Sequence, residues 1–316
     1  MLFTANGESQ GACSLPLTPA ALSFRKRLGL DFIEKIKSKL IELLDVFNPE
    51  ILLYYLAIAG AMLLVEMVIV GWPKSSIRRI LAFRGSVKTD FAFFMLDVFN
   101  LYNLITVLLT FGAFHVMARL VYEATHFDLL FTIPGIPLQF LILFLAGDLK
   151  NYVSHWVFHR VDALWKLHEF HHSATEFCML TRYRGHFLET AMKRVFDVIP
   201  FAIFGSIESY FAVKVLVEMH QLALHSAFTS NWGWIGRYVI VSPAAHRIHH
   251  SAATQHYNRN MGSTFIFWDR LFGTYHNPDH VLNLGVEENP YNNRGVLNDV
   301  ISAYKRFFAA LKTNNV

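Results

Sequence analysis

Cysteine is nearly absent. Cys13 and Cys178 are the only two in 316 residues, which leaves no material for a disulfide framework or a thiolate zinc site. Charge is scarce as well: charged residues make up 16% of the chain against 53% hydrophobic residues, with 29 phenylalanines. The mean hydropathy is +0.33. That balance excludes an ordinary soluble domain and predicts a membrane protein. No basic run is interleaved with aromatics, so nucleic acid is not a predicted partner. The N-terminus has no basic start followed by an apolar run and does not read as a cleavable signal peptide, so insertion is expected to rely on internal segments. No G-x-G-x-x-G or other dinucleotide fingerprint occurs, nor any heme-binding cytochrome-like extension.

Apolar segments are what the chain has in quantity. A crossing takes about 20 apolar residues, and three stretches qualify: Ile51–Gly71 with the single charge Glu66, a long one from Phe91 to Met117 containing Asp97, Asn100 and Asn103, and Leu129–Ala146 with no charge. Lys74, Arg78, Arg79, Arg84 and Lys88 lie between the first two. Positive-inside logic therefore places Trp72–Asp90 in the cytoplasm and returns the chain to that face after the third span. The basic N-terminal helix argues against this by one crossing, so the side of the N-terminus stays open. Leu28–Phe47 reads as that amphipathic helix, lying at the bilayer interface or packed on the domain. Val195–His220 carries too many ionisable groups for a lipid-facing span, and an out-and-back excursion is expected there. The predicted architecture is all-α: an N-terminal tail and interfacial helix (1–50), transmembrane helices (51–147), a cytoplasm-facing helical cap (148–280) and a C-terminal tail (281–316).

Histidine is over-supplied. Of 16, eight fall into three clusters: "HWVFH" (His155, His159), "HEFHH" (His168, His171, His172) and "HRIHH" (His246, His249, His250). Residues at i, i+3 and i+4 share one face of a helix, so each cluster presents its imidazoles together. Such groups repel one another if charged and cost desolvation if buried neutral, unless a metal offsets this. Eight ligands are too many for one tetrahedral zinc and about right for two metals. Isolated histidines such as His115, His126, His256, His276 and His280 read as surface or satisfied core residues.

His168, Glu169 and His172 also spell H-E-x-x-H, the signature of a zinc metalloprotease. That chemistry would leave His155, His159, His171 and all of HRIHH unemployed. The second H-x-x-H-H has Arg247 where the glutamate should stand. The protease reading is therefore a distant third.

At these residues the chain resembles the fatty acid hydroxylase and sterol desaturase superfamily of integral-membrane di-iron enzymes. "HRVDALWKLHEFHHS", "RGHFLE", "VSPAAHRIHHS" and "NRNMGSTFIFWDRLFGTYHNP" carry the resemblance across Asp148–Pro278, with Phe187 standing where a proline is common. The resemblance implies that the eight clustered histidines hold two irons, with His225 of "HQLALHS" a further ligand. It leaves His186 and His220 ambiguous, and Asp148 is expected to orient an imidazole. Asn260 belongs to the third segment and is a candidate contact. Arg182 and Arg184, with His186 as an optional third, are expected to hold a polar head group at the interface; a phosphate-facing surface patch is the alternative.

The implied reaction is O2-dependent hydroxylation of an unactivated C–H bond in a fatty acyl, sterol or related lipid. Desaturation and ether-lipid cleavage are alternatives within the superfamily. Electrons would come from NAD(P)H through a separate cytochrome b5- or ferredoxin-type protein. The implied location is the endoplasmic reticulum or a bacterial inner membrane, with the catalytic face cytoplasmic. A non-catalytic alternative is structural zinc in a lipid-binding or scaffold protein.

Overall fold

The computed structural model describes residues 49–110, 135–204, 207–278, 281, 283–292 and 295–313. The expected helix over 28–47, the end of the second predicted span and the start of the third lie outside them. Pro49–Val316 forms one compact unit. Its described residues are helical and form no strand, only two isolated bridges, Ile240 with Phe265 and Ser251 with Leu284. The all-α expectation holds.

Helix α1 (Pro49–Val70) covers the first predicted span and stops at Gly71, whose φ of 78° suits glycine. Glu66, its one charge, is buried and accepts hydrogen bonds from Ser76 N and Oγ, both at 2.6 Å, and from Ala227 N at 2.7 Å. Three donors make a buried carboxylate tolerable, and they tie α1 to the chain just after His225. A short helix α2 (Ser76–Ala82) follows.

The second predicted span is not one helix. α3 (Val87–Val98) ends at Phe99, Asn100 takes a left-handed φ of 50°, and α4 (Leu101–Thr110) starts afresh. Asparagine visits that conformation readily, and a helix cannot pass through it. Among the described residues no helix is long and apolar enough to cross a membrane. α1 does expose Leu64, Val65, Val68 and Ile69 together with Leu56.

α5 (Ile136–Arg160) fuses the apolar run with the first histidine cluster in 25 residues. An extended Val161 breaks it, and α6 (Asp162–His172) begins at once. α7 (Phe187–Phe204) and α8 (Ile207–Leu224) both pack on α5. The chain thus leaves the cluster near Glu189 and returns at His225, the excursion expected for this stretch. Two short helices follow, α9 (Gly233–Tyr238) and α10 (Pro243–His249), then α11 (Phe267–Leu271).

The expected C-terminal tail is instead α12 (Val296–Thr313). Val300, Ala303, Phe307 and Ala310 recur at helical spacing and are buried, two of them against Ala163 and Leu167 of α6. α12 is the main brace behind the histidine-bearing α6.

Candidate metal centre

Four elements bring the imidazoles together. The end of α5 supplies His155 and His159, and α6 supplies His168, His171 and His172. His225 follows the last turn of α8. α10 carries His246 and His249, with His250 as its C-cap. α10 starts sharply because the Ser242 hydroxyl accepts from Ala245 N at 3.2 Å and Pro243 occupies the first helical position.

Two groups of potential ligand nitrogens result: His155, His159, His168, His172 and His249 in one, His171, His225 and His250 in the other. His246 Nε2 lies 3.0 Å from His225 Nε2 and joins the second. All nine sequence-predicted ligands therefore meet.

The tautomers are dictated by what each Nδ1 faces. His155 Nδ1 donates to Met261 O at 2.8 Å, and His249 Nδ1 to Arg259 O at 2.9 Å. His171 Nδ1 donates to Arg184 O at 2.7 Å, and His225 Nδ1 to Gln221 O at 2.9 Å. His168 Nδ1 donates to the Glu189 carboxylate at 2.7 Å. With Nδ1 carrying the proton, each neutral ring presents a bare lone pair on Nε2. These lone pairs point at one another: His155 to His168 at 3.0 Å, His155 to His249 at 3.0 Å, His171 to His225 at 3.3 Å.

Two lone pairs at that distance repel, and no proton lies between them. Nor can the rings charge to supply one. Burial and then the neighbouring imidazoles hold His155 and His172 far below the usual histidine range, and burial puts His225 at about 3 and His249 at about 4. His159 Nε2 and both nitrogens of His250 are buried without a partner. A cation resolves all of this. Two nitrogens about 2.1 Å from one ion and at right angles about it stand about 3.0 Å apart, the separation found here. The all-nitrogen donor set fits iron, and equally zinc, copper or nickel.

The loop at Arg259–Met261 sets two of these ligands at once, through carbonyls that flank Asn260. Asn260 has φ of 50°, donates from Nδ2 to Ala245 O at 3.1 Å and His276 O at 3.0 Å, and accepts from His276 N at 2.8 Å. It positions His155 and His249 through the backbone and is no ligand itself. Asp269 secures the next turn by accepting from Met261 N at 2.6 Å and Gly262 N at 2.8 Å. A side chain at Gly262 would collide with the Asp269 carboxylate and Phe265 O.

Four expectations need correction. Asp148 orients no imidazole; it accepts from Thr264 N, Phe265 N and the Trp268 indole at 2.9–3.0 Å and so fixes that loop on α5. Arg184 is 1% exposed, with Nε 2.6 Å from Asp90 Oδ1 and Nη1 2.8 Å from both Ser173 Oγ and Asn292 Oδ1. It has no free donor face for a lipid head group; it anchors the backbone whose carbonyl holds His171. Arg182, by contrast, pairs with Glu218 at 2.9 Å while its side chain stays 36% exposed, which leaves its expected head-group role standing. His186 is buried against the Tyr304 ring, its Nε2 3.2 Å from Val300 O, so it docks α12. His220 Nε2 likewise meets Val241 O at 2.9 Å, a structural bond.

Glu189 and the four backbone carbonyls are the functional groups that residue patterns did not pick out. Glu189 and Lys193, four apart near the start of α7, were the available signal.

A family model described as fatty acid hydroxylase matches residues 140–274. Alkylglycerol monooxygenase of Caenorhabditis elegans is 26% identical over 160 residues, 49% of this chain and 31% of that protein. Ornithine lipid hydroxylase OlsE of Rhizobium tropici is 29% identical over 141 residues, 44% of this chain and 42% of that protein. Cholesterol 25-hydroxylase of Homo sapiens is 26% identical over 148 residues, 42% of this chain and 50% of that protein. The matched segment thus spans 31% to 50% of these relatives' own lengths. No solved structure matches the chain. The family match runs from α5 past α10 and includes every histidine of both groups, so residues 140–274 are similar to a fatty acid hydroxylase domain.

Proposed function

We propose that this chain is a membrane oxidoreductase that holds two irons in its nine-histidine centre and uses O2 to hydroxylate an unactivated C–H bond of a lipid. The observation that carries the reading is the set of buried Nε2 lone pairs aimed at each other at 3.0–3.3 Å, each ring locked by an Nδ1 hydrogen bond. Iron so held would supply O2 activation for attack on a C–H bond, chemistry that no side chain can perform. The chain's own part is to keep nine imidazoles neutral and to fix five of them in tautomer through their Nδ1 hydrogen bonds.

A lipid substrate is supported by the names of the relatives, among them an alkylglycerol monooxygenase and an ornithine lipid hydroxylase. It is supported too by the exposed apolar residues of α1 and by the apolar first half of α5, which ends just before the first ligands. In this reading both helices are embedded in a bilayer as part of a multi-pass arrangement, with the histidine cap in the cytoplasm. A separate cytochrome b5- or ferredoxin-type protein delivers electrons from NAD(P)H.

The test is growth of cells expressing the protein under 18O2, with lipids extracted and compared with cells expressing His168→Ala. One 18O atom in a hydroxylated lipid, present only with the intact protein, is the expected result. Identical lipid profiles under conditions where the purified protein carries iron would count against it.

A further inference from the structure

The acceptors on the five resolved Nδ1 atoms are not equivalent. Four are neutral backbone carbonyls, those of Met261, Arg259, Arg184 and Gln221. One is a carboxylate, Glu189, 4% exposed and 2.7 Å from His168. His168 belongs to the group containing His155, His159, His172 and His249. Glu189 also acts through space on His171 of the other group, but its hydrogen bond goes to His168 alone of the two.

We infer that the two metal positions are chemically unequal, and that Glu189 makes them so by polarising His168. The inference rests on the two-metal reading above. A carboxylate draws the Nδ1 proton toward itself, leaving Nε2 more basic and a stronger donor to a metal. A carbonyl does this more weakly, because it bears no net charge. The position served by His168 therefore binds its metal more tightly than the one served by His171, His225, His246 and His250.

Lys193 sets how strong the effect is. Its Nζ is 2.6 Å from the same oxygen, Glu189 Oε1, that faces His168. The ammonium and the imidazole compete for one lone-pair region, so the cation moderates the polarisation. Lys193 itself rests over the Phe158 ring, 5.0 Å from its centroid, and is partly open to solvent. Glu189 is a positioning residue, since it touches no reacting atom.

The two residues give variants with opposite expected signs. Glu189→Gln keeps the shape and a weaker acceptor, and loss of such a partner typically weakens a metal 10–100-fold. Lys193→Met frees the carboxylate for His168 and should tighten the same position. A merely structural Glu189 would make both variants shift the same way, since each breaks the same Glu189–Lys193 bond.

The experiment is titration of metal-stripped full-length protein in detergent with Co(II), followed by its visible absorption. Two binding steps are expected for the parent protein. Glu189→Gln should weaken the tighter step 10–100-fold and leave the weaker one unchanged, whereas Lys193→Met should strengthen the tighter step. Two steps that respond equally in both variants, or not at all, would overturn the inference. A parent protein binding fewer than two metals would instead overturn the two-metal reading on which it rests.

Discussion

Glu169 turns its back on the histidines that flank it and meets Arg306 of α12, whose Nη2 lies 3.1 Å from Oε1 and 3.0 Å from Oε2. In a zinc metalloprotease this glutamate would face the metal as the general base. Here it pins the ligand helix α6 to its C-terminal brace. Because the Arg306 side chain is 37% exposed, the pair is worth no more than about 1 kcal/mol. Glu169→Gln should therefore retain the metals and lower the melting temperature by a few degrees at most. Metal content and a thermal ramp check this; loss of metal from that variant would contradict it.

Arg184 and Asp90 form a fully buried pair, and removing one partner strands the other charge. Breaking such a pair costs about 3–5 kcal/mol. Arg184→Met should sharply reduce the yield of folded protein, and Arg184→Lys should do so less, since it keeps the charge but not the fork of donors. Whatever folds should bind lipid with unchanged apparent affinity. Weakened binding of a charged-head lipid at normal folding yield would restore a head-group role.

Asn260 tests the backbone route to His155 and His249. Asn260→Ala loses three hydrogen bonds and strains the left-handed φ, together costing about 2 kcal/mol or more. Asn260→Gly relieves the φ strain and leaves the hydrogen-bond loss. Both variants should retain less metal on dialysis against a chelator, the glycine variant melting at the higher temperature. Equal retention by the parent and both variants would remove Asn260 from the account.

The metal-free protein should be acid-sensitive. Burial holds His225 at about 3 and His249 and His186 at about 4, whereas each would titrate near 6.5 when unfolded. The folded values lie below the unfolded one, so the unfolded chain binds more protons within that window. Stability is complete above pH about 6.5 and falls as pH drops toward 4, by up to about 1.4 kcal/mol per pH unit for each such group. Melting temperatures measured from pH 7.5 to 5 should decline steeply below 6.5. A flat profile would mean that these rings are not buried neutral.

The histidine clusters were legible because their spacing forces the rings onto one helical face, and His225 was found through a segment resemblance. What remained hidden has a common cause: it depends on distant backbone. Met261 O, Arg259 O and Arg184 O orient ligands 10 to 106 residues away in sequence, and a carbonyl leaves no residue-type signature. Arg184 was misread for a related reason, since its partner Asp90 lies 94 residues upstream. Asn100 breaks a stretch whose hydropathy reads as continuous, because a single left-handed residue scarcely changes an average. The apolar period of α12 was present in Val300, Ala303, Phe307 and Ala310 but sat in a segment too polar overall to suggest a packed helix.

The central claim is a two-metal histidine centre, and Mössbauer spectroscopy on protein purified in mild detergent after growth in iron-57 tests it most directly. The account predicts two irons per chain, spin-coupled and in two distinguishable environments. Stoichiometric zinc that cannot be exchanged for iron, or a single mononuclear iron, would contradict it.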